Sequence, residues 1–152
     1  MFKNYIKKYL SKEDLKDITD KIKNIELTTS GELRLCLKYK TEWHEKKIRT
    51  RDLAIREFHK LGMQNTKEHT GILVMILLKD KKFEIIADKG INSRVEKNTW
   101  DNIADELSNH FSAFKFKSGI LNLLDKVGSL LAKEFPKKKD DVNELPDDIV
   151  IE

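Results

Sequence analysis

The residues best suited to chemistry lie near the carboxyl terminus, where acidic and amide side chains crowd together. The sequence DDVNELPDD holds six of them within nine residues: Asp140, Asp141, Asn143, Glu144, Asp147 and Asp148. Divalent cations such as Ca²⁺ are bound by several carboxylate, amide and carbonyl oxygens, and a turn near Pro146 would help these oxygens to converge. The segment is not an EF-hand loop, because it lacks the glycine and the final glutamate of that loop. It is a candidate metal site, with a solvated acidic tail as the alternative.

Apolar residues within this segment favour a tail that folds back on the protein. Leu145, Ile149, Val150 and Ile151 are interspersed with its acids, whereas purely solvating tails are seldom so apolar. Docking such a tail brings carboxylates close together, and either a cation or Lys and Arg side chains would relieve the resulting repulsion. Glu32, beside Gly31, is a further candidate ligand, with an exposed carboxylate at the start of a strand as the alternative.

Asp88 is a second feature that suggests a site. It follows the strand-like segment FEII and precedes Lys89 and Gly90. In open α/β sheets, ligands bind in the crevice beyond the carboxyl ends of the strands. We therefore expect Asp88 to face a ligand crevice.

Other motifs exclude several enzyme classes. The sequence contains no phosphate-binding loop, no dinucleotide-binding glycine motif, no G-x-S-x-G nucleophile motif and no cysteine pair for zinc. His44 and Glu45 begin like a zinc-protease helix, but Ile48 occupies the position of its second histidine. The single cysteine, Cys36, cannot form an internal disulfide and is predicted to be a structural thiol.

Composition is typical of one globular domain with a charged surface. The 152 residues are 39% hydrophobic and 37% charged, with 6 Gly and 2 Pro, which argues against a disordered or collagen-like chain. All 30 Lys and Arg lie in residues 1–139, against 20 acids, so this body carries +10 and the tail −6. Because basic residues are spread along the body and aromatic residues have core-like spacing, we do not expect a nucleic-acid partner. The longest apolar run is too short to span a membrane, and we expect a cytoplasmic protein.

Hydrophobic periodicity predicts the elements that position these residues. A helix capped by Ser11 is expected to end near Asn24, and alternation over residues 33–39 predicts a half-buried strand. A second helix is expected from about His44 to Gly62. GILVMILL and FEIIAD predict a buried strand and its antiparallel neighbour, and two further helical patterns begin near Trp100 and Ile120. The economical fold is a small mixed sheet of three to four strands between helices.

Several segments, in this order, resemble the TPM domain family. They are TSGELRLCL, the stretch from IREFHKLG through IIADKGI, the pattern around Trp100, the run VGSLLAKEFP and the closing DVNELPDD. The resemblance implies an α/β fold, a three-layer αβα sandwich. The resemblance covers about residues 15 to 148. We expect a single TPM-like domain over residues 1–152, in which residues 137–152 form the acidic segment folded back on it.

The resemblance also implies functions and site residues. Some family members bind divalent cations including calcium, a thylakoid member is described as an acid phosphatase, and others act in photosystem repair or as membrane-associated regulators. The family's A-D-x-G-I corresponds to Ala87, Asp88, Gly90 and Ile91, and its acidic pattern to residues 141–147. Together with the acidic cluster, this predicts that the tail crosses the loop after Asp88 and that one or two Ca²⁺-like ions are bound by Asp88, Asp141, Asn143, Glu144 and Asp147.

Three functions follow from these predictions. The first is a divalent-cation-binding domain with a metal-dependent regulatory or protein-binding role. The second is a metal-dependent phosphomonoester hydrolase, in which the ions polarise phosphate oxygens and Lys89 assists. The third is a structural interaction module that binds no metal. The sequence leaves open whether the protein is an enzyme.

Overall fold

The computed structural model describes residues 3–139 and 143–152. Its helices are α1 (Lys3–Ile6), α2 (Lys12–Glu26), α3 (Thr50–Lys60), α4 (Lys89–Asn92), α5 (Lys97–Ser112) and α6 (Phe116–Glu134). Its strands are β1 (Glu32–Lys38), β2 (Gly71–Leu77), β3 (Lys82–Ala87) and β4 (Val150–Ile151). Short 3₁₀ turns cover Trp43–Glu45 and Met63–Asn65. In the described ranges, no helix is both long and apolar enough to cross a membrane.

The strands form one mixed sheet in the order β3-β2-β1-β4. Strand β1 runs parallel to β2 and to β4, whereas β2 and β3 are antiparallel. Leucines of β1 and apolar residues of β2 pack on one face against α2, α5 and α6. On the other face, Cys36 and Leu73 pack against Leu53 and Phe58 of α3. The predicted three-layer αβα sandwich with a small mixed sheet is therefore confirmed.

Strand β1 is more deeply buried than its alternating sequence predicts. Its first six residues are buried, although the alternating pattern predicts that Glu32, Arg34 and Cys36 face solvent. The reason is that α3 covers this second face while β2 and β4 pair with both edges of the strand. The polar residues that alternate along β1 therefore face α3 and not solvent.

The second helix begins later than predicted. Residues Trp43–Glu45 form a 3₁₀ turn, and α3 starts only at Thr50. The sequence HEKK that follows Trp43 supplies no apolar residue to bury, so this turn gains little from helix packing. The helix does end close to Gly62, which adopts the left-handed conformation with φ +71°.

The direction of β3 decides where Asp88 lies. Because β3 is antiparallel to β2, its carboxyl end meets the amino ends of β1 and β2. Glu32 is in register with Gly71, and the Asp88 backbone N–H donates to the Gly71 carbonyl oxygen at 2.9 Å. Asp88 therefore does not face the crevice expected at the carboxyl ends of the parallel strands. It lies at the opposite end of the sheet. Glu32 and Asp88 stand on either side of Gly71 there.

Candidate metal site

Glu32 is a buried carboxylate at the first position of β1. Its side chain is 3% exposed, and its Oε1 accepts a hydrogen bond from the Glu144 N–H at 2.6 Å. Its Oε2 is buried and has no hydrogen-bond partner. Burial, with added repulsion from Glu144 and Asp147, raises the pKa of Glu32 to about 7. The prediction of an exposed strand-end carboxylate, the alternative considered for Glu32, is wrong because the tail covers it.

Glu26, at the last position of α2, lies beside Glu32. Its Oε1 accepts a hydrogen bond from the Leu33 N–H at 3.0 Å. Burial, with the charges of Glu32 and Asp147, raises the pKa of Glu26 to about 8. Motif searches miss this residue, but its spacing indicates that it is buried. Glu26 follows Ile22 by four positions and so lies on the apolar face of its helix.

The acidic tail contacts two other parts of the chain. Glu144 donates its backbone N–H to Glu32, and its Oε2 accepts from the Lys67 N–H at 3.0 Å. Asn143 Nδ2 donates to Asp147 Oδ1 at 2.9 Å. Glu144 thus connects the tail to β1 and to the loop that precedes β2. Asp141, the remaining predicted ligand of the tail, lies outside the described residues.

Asp88 caps the short helix α4 and also presents an unpartnered oxygen. Its Oδ1 accepts from the Lys89 N–H at 2.8 Å, while its buried Oδ2 makes no hydrogen bond. The imidazole Nδ1 of His69 lies 3.5 Å from Oδ2. Gly90 allows this close approach, because a Cβ at that position would collide with the backbone oxygens of Glu68 and His69.

The structure brings the predicted ligands to one region, but their oxygens do not form a single coordination shell. Glu144 and Asp88 contact the same loop, at Lys67 and His69 respectively. In the described part of the chain, Asp88, Glu144 and Asp147 do not form a trio with all ligand atoms within 4.8 Å. A cavity of about 210 Å³ adjoins Glu144; it is lined by Ser30, Lys67, Glu68, Thr70, Lys138, Lys139 and Glu144. The ligand set inferred from the sequence stays a prediction.

A second cluster does meet that distance, on the α3 face of the sheet. Cys36 Sγ lies 3.8 Å from Glu57 Oε1 and 3.8 Å from Glu152 Oε2. Lys60 Nζ lies 2.8 Å from Glu152 Oε1, and Lys38 Nζ lies 3.9 Å from Glu152 Oε2. We interpret this cluster as an ion-pair network, because lysine ammonium groups already supply the positive charge that a metal would bring.

Burial, neighbouring charges and hydrogen bonds shift the pKa values of the three acidic groups of this cluster. Burial and the neighbouring Glu152 charge raise the pKa of Glu57 to about 7. Although burial opposes it, hydrogen bonds to Glu57 and Lys60 hold the pKa of Glu152 below its ordinary value. Burial, with the charges of both glutamates, also raises the pKa of the Cys36 thiol well above its ordinary value. Sequence motifs miss Glu57 and Glu152 because the trio comes from three separate elements.

Cys36 is therefore expected to be inert in the native protein. It is fully buried, and its thiolate is disfavoured. Reaction with Ellman's reagent is expected to be at least about 100-fold slower than that of an exposed thiol, and to become fast in denaturant. Ala113→Cys, which adds a thiol at an exposed position, provides the internal standard. Rapid labelling of native Cys36 would contradict this burial.

Comparison with known proteins shows a family and similar solved structures. The TPM domain profile matches residues 6–130, a range that includes Glu32 and Asp88 but not the acidic tail. The NMR structure of BA42 protein from the psychrophilic bacterium Bizionia argentinensis is similar, with TM-score 0.84 and 40% identity over 95% of this chain and 96% of that one. No curated protein matches.

A more distant structure shares the fold alone. The N-terminal domain of cg2496 protein from Corynebacterium glutamicum gives TM-score 0.54 at 9% identity, over 86% of this chain and 76% of that one. The profile match spans most of the sequence, and BA42 protein is similar over nearly its whole length. The chain belongs to the TPM domain family.

Proposed function

We propose that this protein is a divalent-cation-binding domain whose site lies at the amino ends of β1 and β2. The observation that carries the proposal is a pair of buried carboxylate oxygens, Glu32 Oε2 and Asp88 Oδ2, that lack hydrogen-bond partners. A buried polar atom without a partner costs about 1–3 kcal/mol, and a charged one costs more. One or two cations at this end of the sheet would relieve that cost for these carboxylates.

The donor set favours a hard cation such as Ca²⁺. Carboxylate and amide oxygens suit calcium, whereas zinc and copper prefer sites rich in thiolate or imidazole. Asp88, Asn143, Glu144 and Asp147 would supply such oxygens, together with Asp141 from the sequence and Glu32 from the structure. The mutual repulsion of Glu32, Glu26 and Asp147 adds a second reason for positive charge to bind there.

Cation binding would give this domain a regulatory role. The ligands belong to the start of β1, the start of α4 and the tail, which are distant in sequence. An ion that binds all of them makes their relative position depend on metal concentration. A protein that recognises the surface formed by the tail and the loop before β2 would then bind in a metal-dependent way.

One observation favours a metal-dependent phosphomonoester hydrolase as the second candidate. The cavity beside Glu144 is lined by Lys67, Lys138 and Lys139, whose ammonium groups suit a phosphate. Lys138 is already paired with Glu68, at 3.0 Å. We rank this activity second because that pairing lowers the positive charge available to a substrate.

Isothermal titration with calcium, followed by NMR of the backbone amides, tests the proposal. We expect saturable binding, with shifts at the start of β1, at α4 and in the tail. Asp88→Asn and Glu32→Gln are expected to weaken affinity at least about tenfold each. Asp125→Asn, an exposed acid on α6 paired with Lys21, is the control and should bind normally.

Two outcomes decide between the candidates. Absence of heat and of amide shifts at millimolar calcium would reject the cation-binding proposal, as would equal loss in the Asp125→Asn control. Turnover of p-nitrophenyl phosphate by the purified protein, lost in Asp88→Asn, would instead place the hydrolase first.

A further inference from the structure

The end of the sheet opposite the candidate metal site carries a row of aromatic rings. Tyr5 stacks on Tyr39 with ring centroids 4.9 Å apart, and Tyr39 lies 6.2 Å from Tyr9. Tyr9 meets Phe116 edge to face at 5.1 Å, and Phe116 lies 6.4 Å from Phe114. The row runs from the end of β1 to the junction of α5 and α6. We call it, with its flanking segments 5–9, 39–47, 78–82 and 113–116, the hairpin end.

Lysine side chains lie over several of these rings. Lys8 Nζ is 5.0 Å from the centroid of Tyr5, and Lys79 Nζ is 5.6 Å from that of Tyr39. Lys81, in the turn between β2 and β3, places Nζ 3.7 Å from the centroid of Phe114. Cationic groups and rings therefore share one surface.

Two large aromatic side chains at this end project into solvent. Trp43 is 83% exposed and Phe114 is 70% exposed. Phe114 also has φ 59°, the left-handed conformation at a helix end where glycine is preferred. The left-handed backbone disfavours a phenylalanine here, and the contacts of the ring with Lys81 and Phe116 leave most of it in solvent. An exposed ring at such a position favours an interaction with a partner.

The charge of the hairpin end is strongly positive. Its segments contain nine lysines against three acids, a formal charge of +6, compared with +4 for the whole protein. The partner is therefore expected to be anionic and to present apolar groups near its charges.

We propose that the hairpin end binds the surface of anionic phospholipid bilayers, with Phe114 and Trp43 at the level of the headgroups and the lysines beside the phosphates. Aromatic side chains favour this interface, and each lysine near an anionic leaflet adds attraction. Bases of a single-stranded nucleic acid need free ring faces for stacking. At the hairpin end, Tyr5 and Tyr39 stack on each other and lysines cover ring faces, which favours lipid over nucleic acid.

Flotation with lipid vesicles tests this proposal, in chelator so that calcium cannot bridge protein and lipid. We expect binding to vesicles containing roughly 30% phosphatidylglycerol, no binding to pure phosphatidylcholine, and release at about 0.5 M salt. Trp100→Phe leaves Trp43 as the only tryptophan, and its emission should shift to the blue on anionic vesicles.

Variants separate surface binding from folding. Phe114→Gly suits the left-handed backbone, so it should fold normally yet bind anionic vesicles at least about fivefold more weakly. Lys81→Ala should show a similar loss. The control is Leu27→Ala, which removes a 73% exposed apolar side chain at the end of α2, away from the hairpin end, and should retain binding.

Several results would overturn the proposal. Equal flotation with anionic and neutral vesicles would do so, and so would unchanged binding by folded Phe114→Gly. A loss in Leu27→Ala as large as that in Phe114→Gly would also reject it. Tighter binding of a single-stranded oligonucleotide, measured by fluorescence anisotropy, would assign the surface to nucleic acid instead.

Discussion

In calcium-free buffer at pH 8, Glu32→Gln is expected to melt at a higher temperature than the wild type, and calcium should narrow that difference because it stabilises the wild type more. The wild-type carboxylate is almost fully buried, has one oxygen without a hydrogen-bond partner, and has a pKa raised to about 7. Its ionisation at pH 8 therefore costs folding free energy. A neutral glutamine avoids that cost but supplies a weaker ligand to a cation.

The expected size of both effects is measurable by calorimetry. Burying the ionised Glu32 costs on the order of 3 kcal/mol, by the free energy that accompanies a pKa shift from 4.5 to about 7. Calcium at a hundredfold excess over its dissociation constant should stabilise the wild type by about 2.7 kcal/mol. For a domain of this size, that raises the melting temperature by roughly 5–10 °C.

The matched control is Glu84→Gln, on β3. Glu84 is paired with Arg51 at 3.2 Å, so its substitution should change neither the calcium-free stability nor the calcium response appreciably. Identical melting temperatures of the wild type in calcium and in chelator would remove the basis for the metal site. A Glu32→Gln variant that still gains full stabilisation from calcium would exclude Glu32 as a ligand.

The metal-free protein is expected to lose stability as the pH rises from 5 to 9. Glu26 has a pKa of about 8 in the folded state, against an ordinary value of 4.5. The folded state therefore holds a proton that the unfolded state releases, and the free energy of unfolding falls between these two values. Glu32 and Glu57, with pKa values of about 7, contribute in the same direction over pH 4.5 to 7.

Urea unfolding in chelator at pH 5, 7 and 9 measures this loss, which should amount to several kcal/mol in the wild type. Glu26→Gln removes the carboxyl group with the largest pKa shift, so the unfolding free energy of this variant should vary much less with pH. Asp20→Asn, which alters an exposed acid on the same helix, should keep the wild-type profile. A wild-type protein that is most stable at pH 9 would show that these carboxyls are not buried as described.

The local elements were predictable because each leaves a periodic pattern in its own residues. Ser11 does cap α2 with a reciprocal hydrogen bond to Asp14, and the helix ends only two residues beyond the predicted Asn24. The buried strand β2, the hairpin to β3 and the two long helices α5 and α6 also lie where the patterns indicate them. Family membership was predictable from short segments in a specific order, and the profile match confirms it.

The candidate site was only partly predictable. Asp88, Asn143, Glu144 and Asp147 stood out because acids near a turn are a recognisable pattern. Glu26 was not recognisable, because the role of a single carboxylate on an apolar helix face depends on which residues pack against it. Glu57 belongs to the same class, because its partners Cys36 and Glu152 come from β1 and from the residue after β4.

By itself, therefore, the sequence determined the elements, the αβα layering and the presence of an acidic tail with apolar residues. The tertiary structure alone decided that β1 pairs in parallel with β2, which places Asp88, at the end of the hairpin, at the amino ends of β1 and β2, across Gly71 from Glu32. It also decided that α3 covers the polar side of β1. The physical reason is that periodicity records which face of an element is buried. Which element covers that face depends on long-range strand pairing and packing.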